Sequence, residues 1–169
     1  PKFIHKFFNK LLLKKKYIDF LDIGFGDGSL LKLLKYQYQE KKIWGCDINP
    51  KLINKAKKFN NIKIFKEDIL NPKQKSKFDI VHASGVLSIF DDPYKVINNM
   101  INKCKTNGTV FICTFLSEEK IDIITRYKVV NNFNYKKMPE QMGWNKFSKN
   151  TIINILKNIK RIKKFQLHE

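Results

Sequence analysis

The sequence predicts an α/β fold: a doubly wound, mostly parallel sheet in a single domain. Three observations carry that expectation. Short apolar runs alternate with helical patterns from Tyr17 to Phe115, the pattern of a parallel sheet with crossover helices. The first of those runs ends in a glycine-rich turn, Gly24-Phe25-Gly26-Asp27-Gly28. The chain has 169 residues, enough for one substantial core and too few for two.

The elements follow in order. Phe3, Ile4, Phe7, Phe8, Leu11 and Leu12 recur at helical spacing among Lys2, His5, Lys6, Asn9 and Lys10, which predicts an amphipathic N-terminal helix over residues 1–16. Such a helix either packs its apolar stripe on the sheet or lies on an anionic membrane, and packing is the reading preferred. Residues 17–116 then form the ligand-binding core. Strands are expected over Tyr17–Ile23, Lys42–Ile48, Ile62–Lys66, Phe78–Ala83 and Thr109–Phe115, with a helix near Ser29–Tyr38 and only a short turn after Asn71-Pro72. Two further helices open at Asn49-Pro50 and Asp92-Pro93. In each, the side chain can cap the first turn, and proline has no N–H to leave unsatisfied there.

Residues 117–147 break the rhythm and read as a cap over the ligand edge, with Tyr127, Phe133, Tyr135 and Trp144 as flat apolar faces. Loops in compact domains usually run about 4–6 residues, so this excursion is too long for a plain connection. Residues 148–169 supply the last helix, capped by Ser148, and one more strand over Arg161–Leu167.

The formal net charge is +19, which invites a polyanion partner. Against that, only Arg126 and Arg161 among the 34 basic residues are arginine, and Asn and Ile are abundant too. An AT-rich coding bias produces that composition, so the charge is not read as a nucleic-acid site. Cys46, Cys104 and Cys113 lie far apart, which suggests neither a disulfide framework nor a metal site and fits a reducing cytoplasm. No apolar run approaches the roughly 20 residues of a transmembrane span, and the opening Pro1 reads as a trimmed start.

The chemistry concentrates at strand ends. Asp22 closes the first strand before the glycine turn, Asp47 ends the second strand 23 residues after Gly24, and Glu67-Asp68-Ile69 ends the third. Ligands of open α/β sheets bind at that edge. Glycines admit close backbone approach, and a carboxylate at Asp47 can accept both ribose hydroxyls of an adenosine. Asp68 can accept from an exocyclic adenine amine, with Ile48 and Ile69 on the two faces of the ring. A nicotinamide site would want G-x-G-x-x-G, but position 29 is serine, and Asp22 would repel a pyrophosphate.

The acid-x-Gly-x-Gly-x-Gly pattern, with acids after the next two strands, resembles the class I S-adenosylmethionine-dependent methyltransferases. The likeness covers roughly Tyr17 to Phe115, and more loosely Trp144 to Leu167, where Phe147-Ser148 precedes an apolar helix. It implies a Rossmann-like methyltransferase fold lacking its final strand. It also implies S-adenosyl-L-methionine as donor and S-adenosyl-L-homocysteine as product, lined by Asp22, Gly24, Phe25, Gly26, Asp47, Ile48, Asp68, Ile69 and Ser84. Small-molecule members often carry histidine just before an Asp-Pro, where this chain has Ser88 and Ile89 before Asp92-Pro93. That departure leaves His82 as the candidate base. Neither an Asn/Asp-Pro-Pro-aromatic motif nor a Pro-Cys pair follows the fourth strand, which argues against base methylation. The expected acceptor is a small molecule, a sugar or other anionic metabolite, held by Arg126 with Tyr127 and Trp144. In a lysine-rich chain an arginine suggests a need for a planar fork on a carboxylate or phosphate. The alternatives are an RNA methyltransferase and a non-catalytic adenosine-binding module.

Overall fold

The computed structural model describes residues 8, 11–13, 17–128 and 141–168. Its centre is a five-stranded sheet in the order β3-β2-β1-β4-β5, formed by β1 (Asp19–Ile23), β2 (Lys42–Asp47), β3 (Ile62–Lys66), β4 (Phe78–Ser84) and β5 (Cys104–Cys113). All four pairings are parallel. The chain winds outward from β1 to β3 and then returns to β4 on β1's other side, so the order reverses between β1 and β4. A crevice opens at such a switch point, outside the carboxyl ends of the strands.

Alternation along each strand sends side chains to two cores. Leu21, Ile23, Val81 and Ala83 face one side, beneath Val96, Ile97 and Met100 of α3 (Pro93–Lys103) and Ile152 of α4 (Lys149–Asn158). Phe20, Ile43 and Ile80 face the other, beneath Leu31 and Leu34 of α1 (Ser29–Gln37) and Ile53 and Ala56 of α2 (Pro50–Ala56). Phe8 and Leu12 complete this second core. Packing is therefore what the described part of the N-terminal segment does; its remaining residues lie outside the described ones.

The helix starts hold as expected. Asn49, Asp92 and Ser148 accept from the backbone N–H of Lys51, Lys95 and Thr151 respectively. The first helix is entered differently, through Gly28 at φ 76° with no side-chain cap.

Several expectations need correction. β5 begins at Cys104, not Thr109: Phe78 pairs with Cys104 and Ile80 with Thr109, so the intervening residues bulge out of register. Asn107 takes φ 62°, and a Cβ on Gly108 would lie 2.7 Å from the Asp79 carbonyl, which is why glycine stands there. The strand expected over Arg161–Leu167 does not form; this stretch carries no strand. Instead Arg161 reaches back to the Asn102 side chain and the Cys104 carbonyl, and among the described residues no further strand offers this lysine-rich stretch a ladder to join. The excursion after β5 is not wholly irregular. It contains β6 (Leu116–Ser117) paired parallel to β9 (Phe147–Ser148), and β7 (Arg126–Tyr127) paired antiparallel to β8 (Gln141–Met142).

Candidate functional site

The carboxyl ends of the strands are tied into a row by backbone bonds. The Gly24 N–H donates to the Cys46 carbonyl at 2.8 Å, Glu67 to Asp47 at 3.1 Å and Gly85 to Cys113 at 2.9 Å. These links bring the ends of β1, β2 and β3 side by side, and those of β4 and β5. Asp22, Asp47 and Asp68 thus stand on three neighbouring strand ends, with Ser84 on the fourth.

The glycine turn is built for close approach. Gly24 (φ 67°) and Gly26 (φ 57°) both lie in the left-handed region. A Cβ on Gly24 would sit 2.5 Å from Val86, while one at Gly26 would meet nothing within 4 Å. The first glycine is demanded by packing and backbone together. The second has open space over its Cα, the kind of cradle a ligand backbone-bound at this turn would occupy. Phe25 is buried in the second core, so it anchors the turn from behind.

Asp47 is nearly buried, and its Oδ1 accepts the Asn49 N–H at 2.8 Å, which orients the carboxylate while leaving lone pairs for a ligand. Asp68 makes a local turn, accepting from the Leu70 N–H at 2.9 Å and the Asn71 side chain at 3.3 Å. The two isoleucines part company: Ile48 is 58% exposed beside Asp47, whereas Ile69 belongs to the first core. Only Ile48 presents an open apolar face. Glu67 is turned inward, into a buried ion pair with Lys103, and it accepts the Lys73 N–H at 2.7 Å. It fastens the chain beyond β3, helped by Asn99, whose amide donates to the Ile69 carbonyl at 2.7 Å.

Asp22 and His82 form a buried pair, Nδ1 to Oδ1 2.7 Å, each no more than 3% exposed. Phe8 and Phe20 rings flank the imidazole, and its Nε2 lies 3.7 Å from Cys113 Sγ. Burial raises the Asp22 carboxyl above its usual range. Burial alone would lower the imidazole, but the hydrogen bond to Asp22 outweighs it with help from Cys113, and His82 is raised to about 9. Both ring nitrogens are engaged inside the protein, so the geometry gives His82 no path to an acceptor.

The described part of the segment after β5 is bolted to the loop after β4. Asn145, almost fully buried, donates from its backbone N–H to the Ser88 carbonyl at 2.8 Å and from its amide to Phe90 O and Asp91 Oδ1, both at 3.0 Å; it accepts the Thr125 N–H at 2.8 Å. Sequence reasoning missed this residue. Only its place between Trp144 and Phe147-Ser148 hinted at it. Arg126 lays its fork on Asp91, Nη1 to Oδ1 at 3.1 Å and Nη2 to Oδ2 at 2.5 Å. Trp144 takes φ 61° and is 77% exposed, while Tyr127 lies against Gly143. Phe133 and Tyr135 lie outside the described residues. At the end of β5, Thr114 Oγ1 is buried without a hydrogen-bond partner among the described residues, a polar atom the sequence did not single out.

Comparison with known proteins places this architecture. A family described as methyltransferase domain matches residues 1–159. The malonyl-[acyl-carrier protein] O-methyltransferase of Acetivibrio thermocellus is 31% identical over 104 residues, 60% of this chain and 37% of that protein. The ribosomal protein L11 methyltransferase of Dictyoglomus thermophilum is 28% identical over 134 residues, 77% of this chain and 43% of that protein. The chain thus spans about two fifths of the length of these curated relatives. A crystal structure of an S-adenosylmethionine-dependent methyltransferase from Clostridium acetobutylicum shares the fold with a TM-score of 0.65 at 18% identity, over 92% of this chain and 77% of that one. With the family matched over nearly its whole length and the sheet edge arranged as above, the chain belongs to the methyltransferase-domain family.

Proposed function

We propose that this chain binds S-adenosylmethionine at the β1–β4 switch point and transfers its methyl group to a small acidic acceptor. The observation that carries the reading is the row of Asp22, Asp47 and Asp68 on three adjacent strand ends beside a turn with open space at Gly26. In that reading Asp47 accepts from the ribose hydroxyls, Asp68 from the adenine amine, and Ile48 covers one face of the ring. Gly24 and Gly26 admit the donor's amino-acid portion, and Phe25 supports the turn. Asp22, fixed by His82, places negative charge where the donor's ammonium lies, and Ser84 flanks the same edge.

When bound, the donor supplies an electrophilic methyl on a sulfonium. Methyl transfer is a single in-line displacement, so the chain's task is to align the two reactants and exclude water. His82 is buried and doubly engaged. It acts here as a positioning residue for Asp22, in place of the catalytic base expected from the sequence. A carboxylate acceptor fits that absence of a base, because its oxygen already carries the electron pair that forms the C–O bond. The relative named for a malonyl group offers a parallel of that acceptor type. Arg126, Tyr127 and Trp144 are the residues that would hold it.

Calorimetry with S-adenosylhomocysteine tests the donor assignment. Removing hydrogen bonds to a charged acceptor costs about 1.5–3 kcal/mol, so Asp47→Ala should weaken binding roughly tenfold to more than a hundredfold. Unchanged affinity in a folded Asp47→Ala protein defeats it.

A further inference from the structure

Asp22, His82 and Cys113 come from three neighbouring strands. Asp22 pairs in register with His82, and Ser84, two residues on from His82, pairs with Cys113. With a side-chain period of two, all three side chains emerge on the same face of the sheet. They line up as carboxylate, imidazole and thiol: Asp22 Oδ1 to His82 Nδ1 2.7 Å, His82 Nε2 to Cys113 Sγ 3.7 Å. The inner two are sealed behind Phe8, Phe20 and Phe111, whereas Cys113 is only partly buried, at the end of β5. The row runs from the interior to the partly buried Cys113.

We propose that Cys113 is a nucleophilic thiol and a modification site for soft carbon electrophiles, activated by the His82–Asp22 pair. A histidine cation beside a cysteine favours the thiolate, the form that attacks carbon. A carboxylate on the far nitrogen orients the ring and holds its charge, the same division of labour as in nucleophile–base–acid rows generally. The groups facing the imidazole are those named: Asp22 from β1 and Cys113 from β5, with Asp47 on β2 acting on Asp22 and apolar Phe8 above. The other two cysteines lack such a partner. Burial pushes the Cys46 thiol up, and burial pushes the Cys104 thiol up to about 11, so both serve as internal controls. With an alkyl halide, Sγ forms the S–C bond as the carbon–halogen bond breaks. Halide leaves with the electron pair, and the thiol proton stays on His82 Nε2. With an α,β-unsaturated carbonyl, Sγ bonds the β-carbon and the α-carbon takes that proton. No oxidant is needed. The inference does not depend on the donor assignment.

The test is the rate of alkylation by iodoacetamide at pH 6.5, resolved by mass spectrometry of the peptides carrying Cys46, Cys104 and Cys113, with glutathione alkylated in parallel. An ordinary thiol near pKa 8.5 is only about 1% thiolate at that pH, so a thiol that can pass its proton to an adjacent imidazole as it attacks reacts about tenfold faster than an unassisted one. Cys113 should therefore outpace glutathione by about tenfold, with Cys46 and Cys104 nearly silent, and His82→Gln should remove that advantage. Labelling no faster than glutathione in the wild type overturns the proposal by itself, whether or not the variant folds. An unchanged Cys113 rate in a folded His82→Gln protein overturns it equally.

Discussion

His82 shows how one residue's role turns on burial. From the sequence it is the one titratable side chain in the fourth strand with chemistry near neutral pH, and so the natural candidate base. In the structure it is sealed against Phe8 and Phe20 with Asp22 on one nitrogen and Cys113 on the other. Periodicity places His82 on a face, but it does not say that an N-terminal phenylalanine covers that face. The pair has a consequence for stability. The imidazole is raised from 6.5 in the unfolded chain to about 9 in the fold. Folding therefore binds a proton, and the stabilisation is complete below about pH 6.5 and lost as pH rises through about 9. At most about 3 kcal/mol is involved, less whatever the buried Asp22 carboxylate costs. In Cys113→Ser, where no thiol proton can pass to the ring and cancel this uptake, the midpoint of thermal unfolding should fall between pH 6.5 and 9, and that fall should flatten when His82→Gln is added. A midpoint constant across this window in Cys113→Ser contradicts the pairing.

Elements with strong local chemistry were legible; those defined by long-range partners were not. The Asn49-Pro50 and Asp92-Pro93 starts and the Ser148 cap are written in two or three adjacent residues, and all three caps form. The acids at three strand ends follow from strand spacing alone. The two-residue strands after β5 depend on partners 14 to 31 positions away in the chain, beyond any local period. The strand expected at Arg161–Leu167 failed for the converse reason: a local pattern without a neighbour to ladder against. The contact with the loop after β4 also alters what Arg126 means. Its fork is satisfied by Asp91, and both side chains are more than a third exposed, so solvent screens the pair and it adds little to the fold. An acceptor carboxylate can displace Asp91 at little cost and take the same two donors. Arg126→Lys loses the two-pronged geometry. With radiolabelled donor and a carboxylated acceptor that the wild type methylates, Arg126→Lys should raise the acceptor KM about tenfold, as one charged hydrogen bond is lost. Thermal stability and donor affinity should be unaltered. Equal acceptor KM for both proteins removes Arg126 from the site.

At the scale of the whole molecule, the sheet must be covered on both faces. α1 and α2 cover its β1–β2–β3 side, while over β1 and β4 the described cover is Phe8 and Leu12, resting on Phe20, Phe111 and the His82 ring. The net charge of +19 bears on this, because a basic amphipathic segment is also what binds anionic lipid. Some lysines have local work: Lys103 neutralises Glu67, Lys105 bridges Asp19 and Asp79, and Lys63 lies over Trp44. The apolar stripe, for its part, is inside. Leu12 is fully buried, so Leu12→Ala should leave a cavity costing about 2–5 kcal/mol. For a chain of this size that lowers the unfolding midpoint by roughly 5–15 °C. Leu12 shares its core with Phe8, the ring that lies against His82, so the loss should also loosen that cover and reduce the pH dependence described above. A membrane anchor behaves oppositely. It would leave the midpoint in place and weaken binding to anionic vesicles in high salt, where electrostatic attraction is screened and only apolar insertion remains. Calorimetric unfolding and vesicle sedimentation on the same Leu12→Ala preparation separate the two. An unmoved midpoint with lost vesicle binding would mean that this stripe belongs to a lipid surface and not to the core.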